Sequence, residues 1–214
     1  MLSALALIGF LISINSTKTE VSSSYTIKVN AANYMKKSME LLKANRMISG
    51  VFIDDENDPN ETGLVGSPFS LITTDEGDLD AKLTTLDPNF AAGMVELMTQ
   101  LNLQKYDTVA VLMTGSMPGA NIAVLTALKS LSVVAVTITS VGASQWGANQ
   151  VDFTWLDMEK ILHANQLITN RSISASIGGR NDMGRLLSPA GREIITENIE
   201  KHGIPLIKKA KLAE

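Results

Sequence analysis

Two short apolar runs, Val109–Met113 and Val133–Ile138, bracket a stretch with helical spacing from about Asn121 to Leu131. Both runs are too short for typical helices and are rich in β-branched residues and alanine, the pattern of strands buried on both faces. Strand, helix and strand with short joints predict a βαβ unit with a right-handed crossover. In an open parallel sheet, ligands bind beyond the carboxyl ends of the strands. Two polar turns fall at that edge, Thr114-Gly115-Ser116 and its continuation to Asn121, and Thr139 to Gly147.

The flanks extend the pattern. Residues 2–14 are apolar apart from Ser3, Gly9 and Ser13, and a Ser/Thr-rich stretch follows to Ser24. A bilayer span takes about 20 such residues, so this run is short for one. It reads as the apolar part of a signal peptide or trimmed signal anchor, although the usual preceding basic residues are missing, which places the true start upstream. A buried core helix is the alternative. Residues 26–49 space Ile27, Ala31, Tyr34, Met35, Met39, Leu42 and Met47 as one face of an amphipathic helix, with Lys28, Lys36, Lys37, Lys43 and Arg46 on the wet side.

Residues 54–90 are irregular and dense in Asp, Asn, Gly, Pro and Thr. A helix from Pro88 to Leu101, with Asp87 as N-cap, closes that segment. Beyond the central unit come a helix from Trp155 to Gln166 capped by Thr154, and a strand from Ser172 to Ile177. A glycine-bearing turn with Arg180 leads to a helix begun by Ser188 and Pro189 and ended by Gly203. A fourth strand, Ile204–Ile207, is trailed by KKAKLAE. The expected architecture is α/β: a mostly parallel Rossmann-like sheet flanked by helices, with an N-terminal hydrophobic helix. Residues 1–24 form an anchor or signal segment and linker, and residues 25–214 a single α/β domain, truncated at its C-terminus.

Composition narrows the chemistry. With 214 residues the chain can bury a sizeable core. A net charge of −4 carries no electrostatic footprint for nucleic acid. No cysteine is present, which excludes disulfides, thiolate zinc sites and a thiol nucleophile. His163 and His202 stand in charge-rich helical contexts and read as surface residues, which argues against a His-dependent triad.

The strand-to-helix turn at Thr114, Gly115, Ser116 and Asn121 suits an anion, because backbone N–H groups and the helix dipole converge there. It is neither a Walker loop nor a dinucleotide fingerprint, and Gly115 adjoins Ser116 directly, unlike a nucleophile elbow. Ser116 is the candidate catalytic residue, and as a nucleophile it would need Lys82 or a carboxylate to activate it. The neighbouring turn offers Ser140, Gly142, Ser144 and Trp146, the last as a pocket wall or as packing over the sheet edge. Thr73, Thr74 and Lys82 add hydroxyls and one cation suited to a carboxylate or phosphate. Asp58 and Asn60 mimic the opening of an EF-hand loop, but the twelfth position is Phe69. A non-standard divalent-cation site there is a minor alternative to Asx-turn chemistry. No other cofactor is expected.

Several stretches together resemble the poly-gamma-glutamate system protein family (PgsW-like proteins). They are DPNETGLVGSPFSLITTDEGDLDAK, DPNFAA, TGSMPGANIAVLTAL, SVGASQWGAN, TWLDME, and the Ile177-Gly178-Gly179 turn with Pro189-Ala190-Gly191-Arg192. They cover nearly everything from about residue 30 onward. The family's turn reads more like SGSFPALN, so this chain departs from it at Thr114, Met117, Gly119 and Ala120. The resemblance implies a protein that works with the poly-γ-glutamate machinery, held by an N-terminal membrane segment with its soluble domain on the extracytoplasmic side. Family members are longer, with further α/β sequence after the point where this chain stops.

Three readings follow. The first is a membrane-anchored accessory protein of polymer biosynthesis or export that binds poly-γ-glutamate or a glutamate-like ligand at the two turns. The second is a hydrolase or ligase-type enzyme acting on γ-glutamyl amide bonds through Ser116 or a divalent metal. The third is a non-catalytic structural partner of the polymer synthase components.

Overall fold

The computed structural model describes residues 2–18, 20–50 and 53–207. The 208–214 tail lies outside the described residues. The chain runs through α1 (Leu2–Ser16), α2 (Tyr25–Ile48), α3 (Leu79–Thr85), α4 (Asn89–Thr99), β1 (Thr108–Thr114), α5 (Pro118–Leu131) and β2 (Val134–Ser140). A small hairpin, β3 (Asn149–Gln150) and β4 (Phe153–Thr154), leads into α6 (Trp155–Ala164), β5 (Ser174–Ser176) and α7 (Pro189–Lys201). The fold is α/β.

The expected βαβ unit forms. β1 and β2 pair in parallel from Thr108↔Val134 to Thr114↔Ser140, and β5 joins β2 on its other side, also parallel. The sheet is small, with three strands in the order β1-β2-β5. Ile204–Ile207 contributes only a single parallel bridge, Ala175↔Leu206, instead of a fourth strand. Pro205 lacks the N–H that a ladder needs, which limits pairing there.

β1 is not buried on both faces as its apolar character predicted, whereas no residue of β2 is exposed. Along β1, Val109, Val111 and Met113 pack into the main core, while Leu112 on the opposite face is 82% exposed. β1 is an edge strand with helices stacked on one side only. That side holds α2, α4 and α5, whose Met35, Leu42, Val95, Ile122 and Leu128 form the core with Trp155 and Leu162 of α6. A second cluster joins Ile72, Val141, Leu156, Ala175, Ile195 and Ile199, and seats α7 beside the sheet's carboxyl end.

Local signals set the helix ends. Thr154 and Asp157 form a capping box at α6, Ser188 accepts from the Gly191 N–H at α7, and Asp78 accepts from the Ala81 N–H at α3. Asp87 accepts from the Asn89 N–H at the start of α4. Within α2 the predicted wet side loses one member. Arg46 is buried, and its guanidinium donates to the carbonyls of Gly63 and Val65 (3.0 Å to the latter). Burial pushes its pKa down, against the raising effect of Asp58. The arginine thereby ties α2 to the irregular 53–78 segment.

The N-terminal hydrophobic helix exists as α1, and every residue of it is exposed. Its 15 residues span about 22 Å at 1.5 Å per residue, against a hydrocarbon core of about 30 Å. Among the described residues no helix is long and apolar enough to cross a membrane.

Candidate functional site

The two polar turns do meet at the carboxyl rim of the sheet. The Gly115 N–H donates to the Ser140 carbonyl (2.8 Å) and the Ala148 N–H donates to the Gly115 carbonyl (2.7 Å). Two glycines make this closeness feasible. A Cβ on Gly115 would lie 2.4 Å from the Val141 carbonyl oxygen, and one on Gly147 would lie 2.8 Å from Ser116 Cα. The segment before α3 closes a third side, where the Thr74 N–H donates to the Ala143 carbonyl (2.8 Å).

These turns enclose a cavity of about 230 Å³ lined by Thr74, Asp75, Thr114, Ser116, Ser140, Gly142, Ser144, Gly179 and Arg180. Six of the positions singled out from the sequence therefore share one concavity: Thr74, Thr114, Ser116, Ser140, Gly142 and Ser144. Gly115 does not line it but joins the two turns through the backbone contacts above.

Ser116 and Ser144 are coupled. The Ser144 N–H donates to Ser116 Oγ (2.9 Å), and the Ser116 N–H donates to Thr114 Oγ1 (3.2 Å). Lys82 reaches the site from below. Its Nζ donates to Ser144 Oγ (3.0 Å) and lies 3.3 Å from Met117 Sδ. Lys82, the side chain expected to activate Ser116, is thus hydrogen-bonded to Ser144. Lys82 is only 6% exposed, and no carboxylate lies within ion-pair distance of it among the described residues. Burial lowers its pKa, partly offset by the charge of Asp78. α3 holds it there by packing tightly on the start of α5: a Cβ on Gly119 would lie 2.5 Å from the Thr85 carbonyl oxygen.

The other singled-out residues have structural partners. Asn121 Nδ2 donates to the Thr114 carbonyl (2.8 Å) and pins the turn. Thr73 Oγ1 accepts from the Ser70 N–H (2.8 Å) and from Asn149 Nδ2 (3.0 Å), away from the cavity. Trp146 does not line the cavity; its ring packs on the main core. Its φ of +63° is held by the N–H of Trp146 donating to Ser67 and by its carbonyl accepting from Gly66. Asp58 is buried and accepts from the Thr62 N–H, the Thr62 hydroxyl and the Gly63 N–H, four and five residues on, while the Asx turn of this segment is made by Asp54 with the Glu56 N–H. Asn60 is exposed in a separate groove beside Lys43 and Glu61.

A cationic rim was only partly legible. Gly178 and Gly179, at φ +82° and +75°, turn the chain back after β5, and the Gly178 N–H donates to Asp182 Oδ1 (2.9 Å). The turn brings Arg180 to the cavity mouth and pairs it in a bridge with Arg185, while Arg192 Nε donates to the Gly184 carbonyl (3.1 Å). All three arginines are exposed, and none is ion-paired among the described residues. Arg180 was visible in the sequence at the strand end; that Arg185 and Arg192 attach to the same turn depends on its geometry.

One histidine departs from the expected surface position. His163 is exposed, but His202 is buried, with Nε2 3.0 Å from Asp157 Oδ1 and Nδ1 3.2 Å from Arg171 Nη2. It belongs to a polar cluster between α6 and α7 and does not line the cavity.

A small concavity of hydroxyls with an arginine at its mouth can hold a carboxylate or similar oxyanion: hydroxyls donate single bonds, and a guanidinium donates a bidentate pair. Compared with known protein families, curated proteins and solved structures, the chain matches none.

Proposed function

We propose that this chain is a membrane-anchored accessory protein of poly-γ-glutamate biosynthesis or export. It would hold the polymer, or a glutamate-like end of it, by a carboxylate at the carboxyl rim of the sheet. The observation that carries the binding part is the cavity itself: Thr74, Thr114, Ser116, Ser140 and Ser144 inside, Arg180 at the mouth. At about 30 Å³ per water molecule, 230 Å³ accommodates one small acidic residue. Arg185 and Arg192, exposed and attached to the turn that carries Arg180, suit the next carboxylates of a repeating anionic chain. The net charge of −4 does not oppose this, because at 0.1 M salt charges farther away than about 10 Å are largely screened. The pathway rests on the sequence resemblance. The membrane part rests on α1, whose eight large apolar side chains (Leu2, Leu5, Leu7, Ile8, Phe10, Leu11, Ile12 and Ile14) all lie exposed. An extracytoplasmic position for the α/β domain follows from the same resemblance.

Calorimetric titration with γ-linked glutamate oligomers tests the binding. Saturable binding should weaken with salt, and Arg180→Ala should reduce affinity by roughly 10- to 100-fold, the loss expected for hydrogen bonds to a charged group. Absence of saturable binding, or an Arg180→Ala variant that binds like the wild type, would overturn the reading.

A further inference from the structure

Lys82 and Ser144 form a buried pair beside the cavity. An ammonium carries three donors and needs acceptors for them. This one, almost fully enclosed, finds a serine hydroxyl at 3.0 Å and a thioether, a weak acceptor, at 3.3 Å. A neutral amine fits the same surroundings better, because its lone pair accepts the Ser144 hydroxyl proton and leaves fewer buried donors unmatched. The layering is also that of a nucleophile and its base. Ser144 lines the cavity, whereas Lys82 does not line it and lies behind the hydroxyl, away from water.

The geometry points to Ser144 as a nucleophile and Lys82 as its general base, in a site for acyl transfer from amides or esters that carry a nearby carboxylate. This deepens the carboxylate-binding reading, on which its substrate class rests. The Ser144 oxygen would attack the acyl carbon as its proton passes to the Lys82 amine. The tetrahedral oxyanion would take hydrogen bonds from the hydroxyls around it. Ser116 is placed for that, because its oxygen already accepts from the Ser144 N–H and its own proton is free to donate into the cavity. On collapse the carbon–nitrogen or carbon–oxygen bond breaks, and the Lys82 ammonium protonates the departing amine or alcohol. Water then adds to the acyl-serine with Lys82 again taking the proton, and releases the acid and free Ser144. Arg180 at the mouth would orient the substrate's carboxylate.

A fluorophosphonate probe tests the dyad without a known substrate. Incubated with the full chain, it should phosphonylate Ser144, as located by peptide mass spectrometry. Ser144→Ala should abolish the label. Lys82→Met, checked for folding by circular dichroism, should slow labelling by roughly 100-fold or more, the usual contribution of a positioned base. If Lys82→Met does not fold, Lys82→Gln replaces it. No label on the folded wild type, label on Ser116 instead, or a labelling rate indifferent to Lys82 would overturn the proposal. Binding of γ-glutamyl oligomers by an unlabelled wild type would remove the dyad and leave the binding reading standing. Labelled Ser144 in a protein that ignores those oligomers would keep the dyad and remove the carboxylate reading.

Discussion

Asp157 gathers donors from two parts of the chain, Thr154 and the end of α7, and removing its charge should be among the costliest single changes in the protein. One oxygen accepts from the Thr154 N–H (3.0 Å), the Thr154 hydroxyl (2.8 Å) and Asn198 Nδ2 (3.1 Å). The other accepts from Lys201 Nζ (3.1 Å) and His202 Nε2 (3.0 Å). Arg171 donates to His202 Nδ1, so the ring proton sits on Nε2 and points at the carboxylate. In Asp157→Asn the new amide group meets donors in either orientation: His202 and Lys201 on one side, Thr154 and Asn198 on the other. The His202 ring cannot adapt by changing tautomer while Arg171 holds Nδ1. The Lys201 contact, largely exposed, contributes little. A buried donor left unpaired costs about 1–3 kcal/mol, and breaking a buried charged network about 3–5 kcal/mol. We expect Asp157→Asn to lose about 3 kcal/mol at pH 7.

The acid dependence provides a second handle. Burial pushes the Asp157 carboxyl up, but the bonds from His202, Thr154, Asn198 and Lys201 outweigh it and hold the group well below the usual carboxylate range. The folded-state pKa is therefore below the unfolded one. The stabilisation is fully present above about pH 5 and is lost as pH falls from there through the folded-state value. The gap between wild type and Asp157→Asn should narrow below about pH 4. Urea unfolding followed by far-ultraviolet circular dichroism at pH 7 and pH 3 measures both quantities. A loss under about 1 kcal/mol at pH 7, or an equal gap at both pH values, would refute the reasoning.

Further outcomes follow from neighbouring features. Glu159 is fully buried and accepts from the Ser172 N–H and hydroxyl; burial pushes its pKa up despite those bonds. Its ionised form therefore costs stability once pH rises above the unfolded-state pKa. Glu159→Gln should be more stable than wild type at pH 8 by urea unfolding, with the gain shrinking as pH falls toward 5. Gly142→Ala would place a Cβ 2.6 Å from Thr74 Cγ2 and 2.8 Å from the Ile177 carbonyl oxygen. It should lose about 1–3 kcal/mol and weaken oligomer binding by calorimetry. Gly93→Ala, in α4 with nothing near its Cβ, should instead gain about 0.5–1 kcal/mol. Deleting residues 2–16 should leave the protein in solution in a vesicle flotation assay, where the full chain should float. A full chain that stays in solution would count against the membrane part of the proposal.

Much of the fold could be read from local pattern because its signals are short-range. The Thr154 and Ser188 caps and the Gly178-Gly179 turn each depend on residues a few positions apart, and the βαβ unit on three contiguous runs joined by short turns. Periodicity likewise located α2 and placed its apolar face. The rim of the sheet was legible too, since parallel strands and their turns point one way. The rest required knowing what lies across the gap in space. Apolar β-branched runs do not reveal how many helices will cover them, so the bare face of β1 at Leu112 went unseen. Charge predicts exposure only when no carbonyl or carboxylate waits inside. Arg46 met Gly63 and Val65, and His202 met Asp157, so both turned inward. Trp146 lay next in sequence to the cavity's serines, yet its left-handed backbone turned the ring toward the core. Lys82 and Ser144, 62 positions apart, became neighbours only because Gly119 lets α3 settle against α5. Sequence determines what a residue can donate, accept or bury. The tertiary structure decides which partner it finds, because a hydrogen bond or a packed contact acts over a few ångströms of space, however much chain separates its two halves.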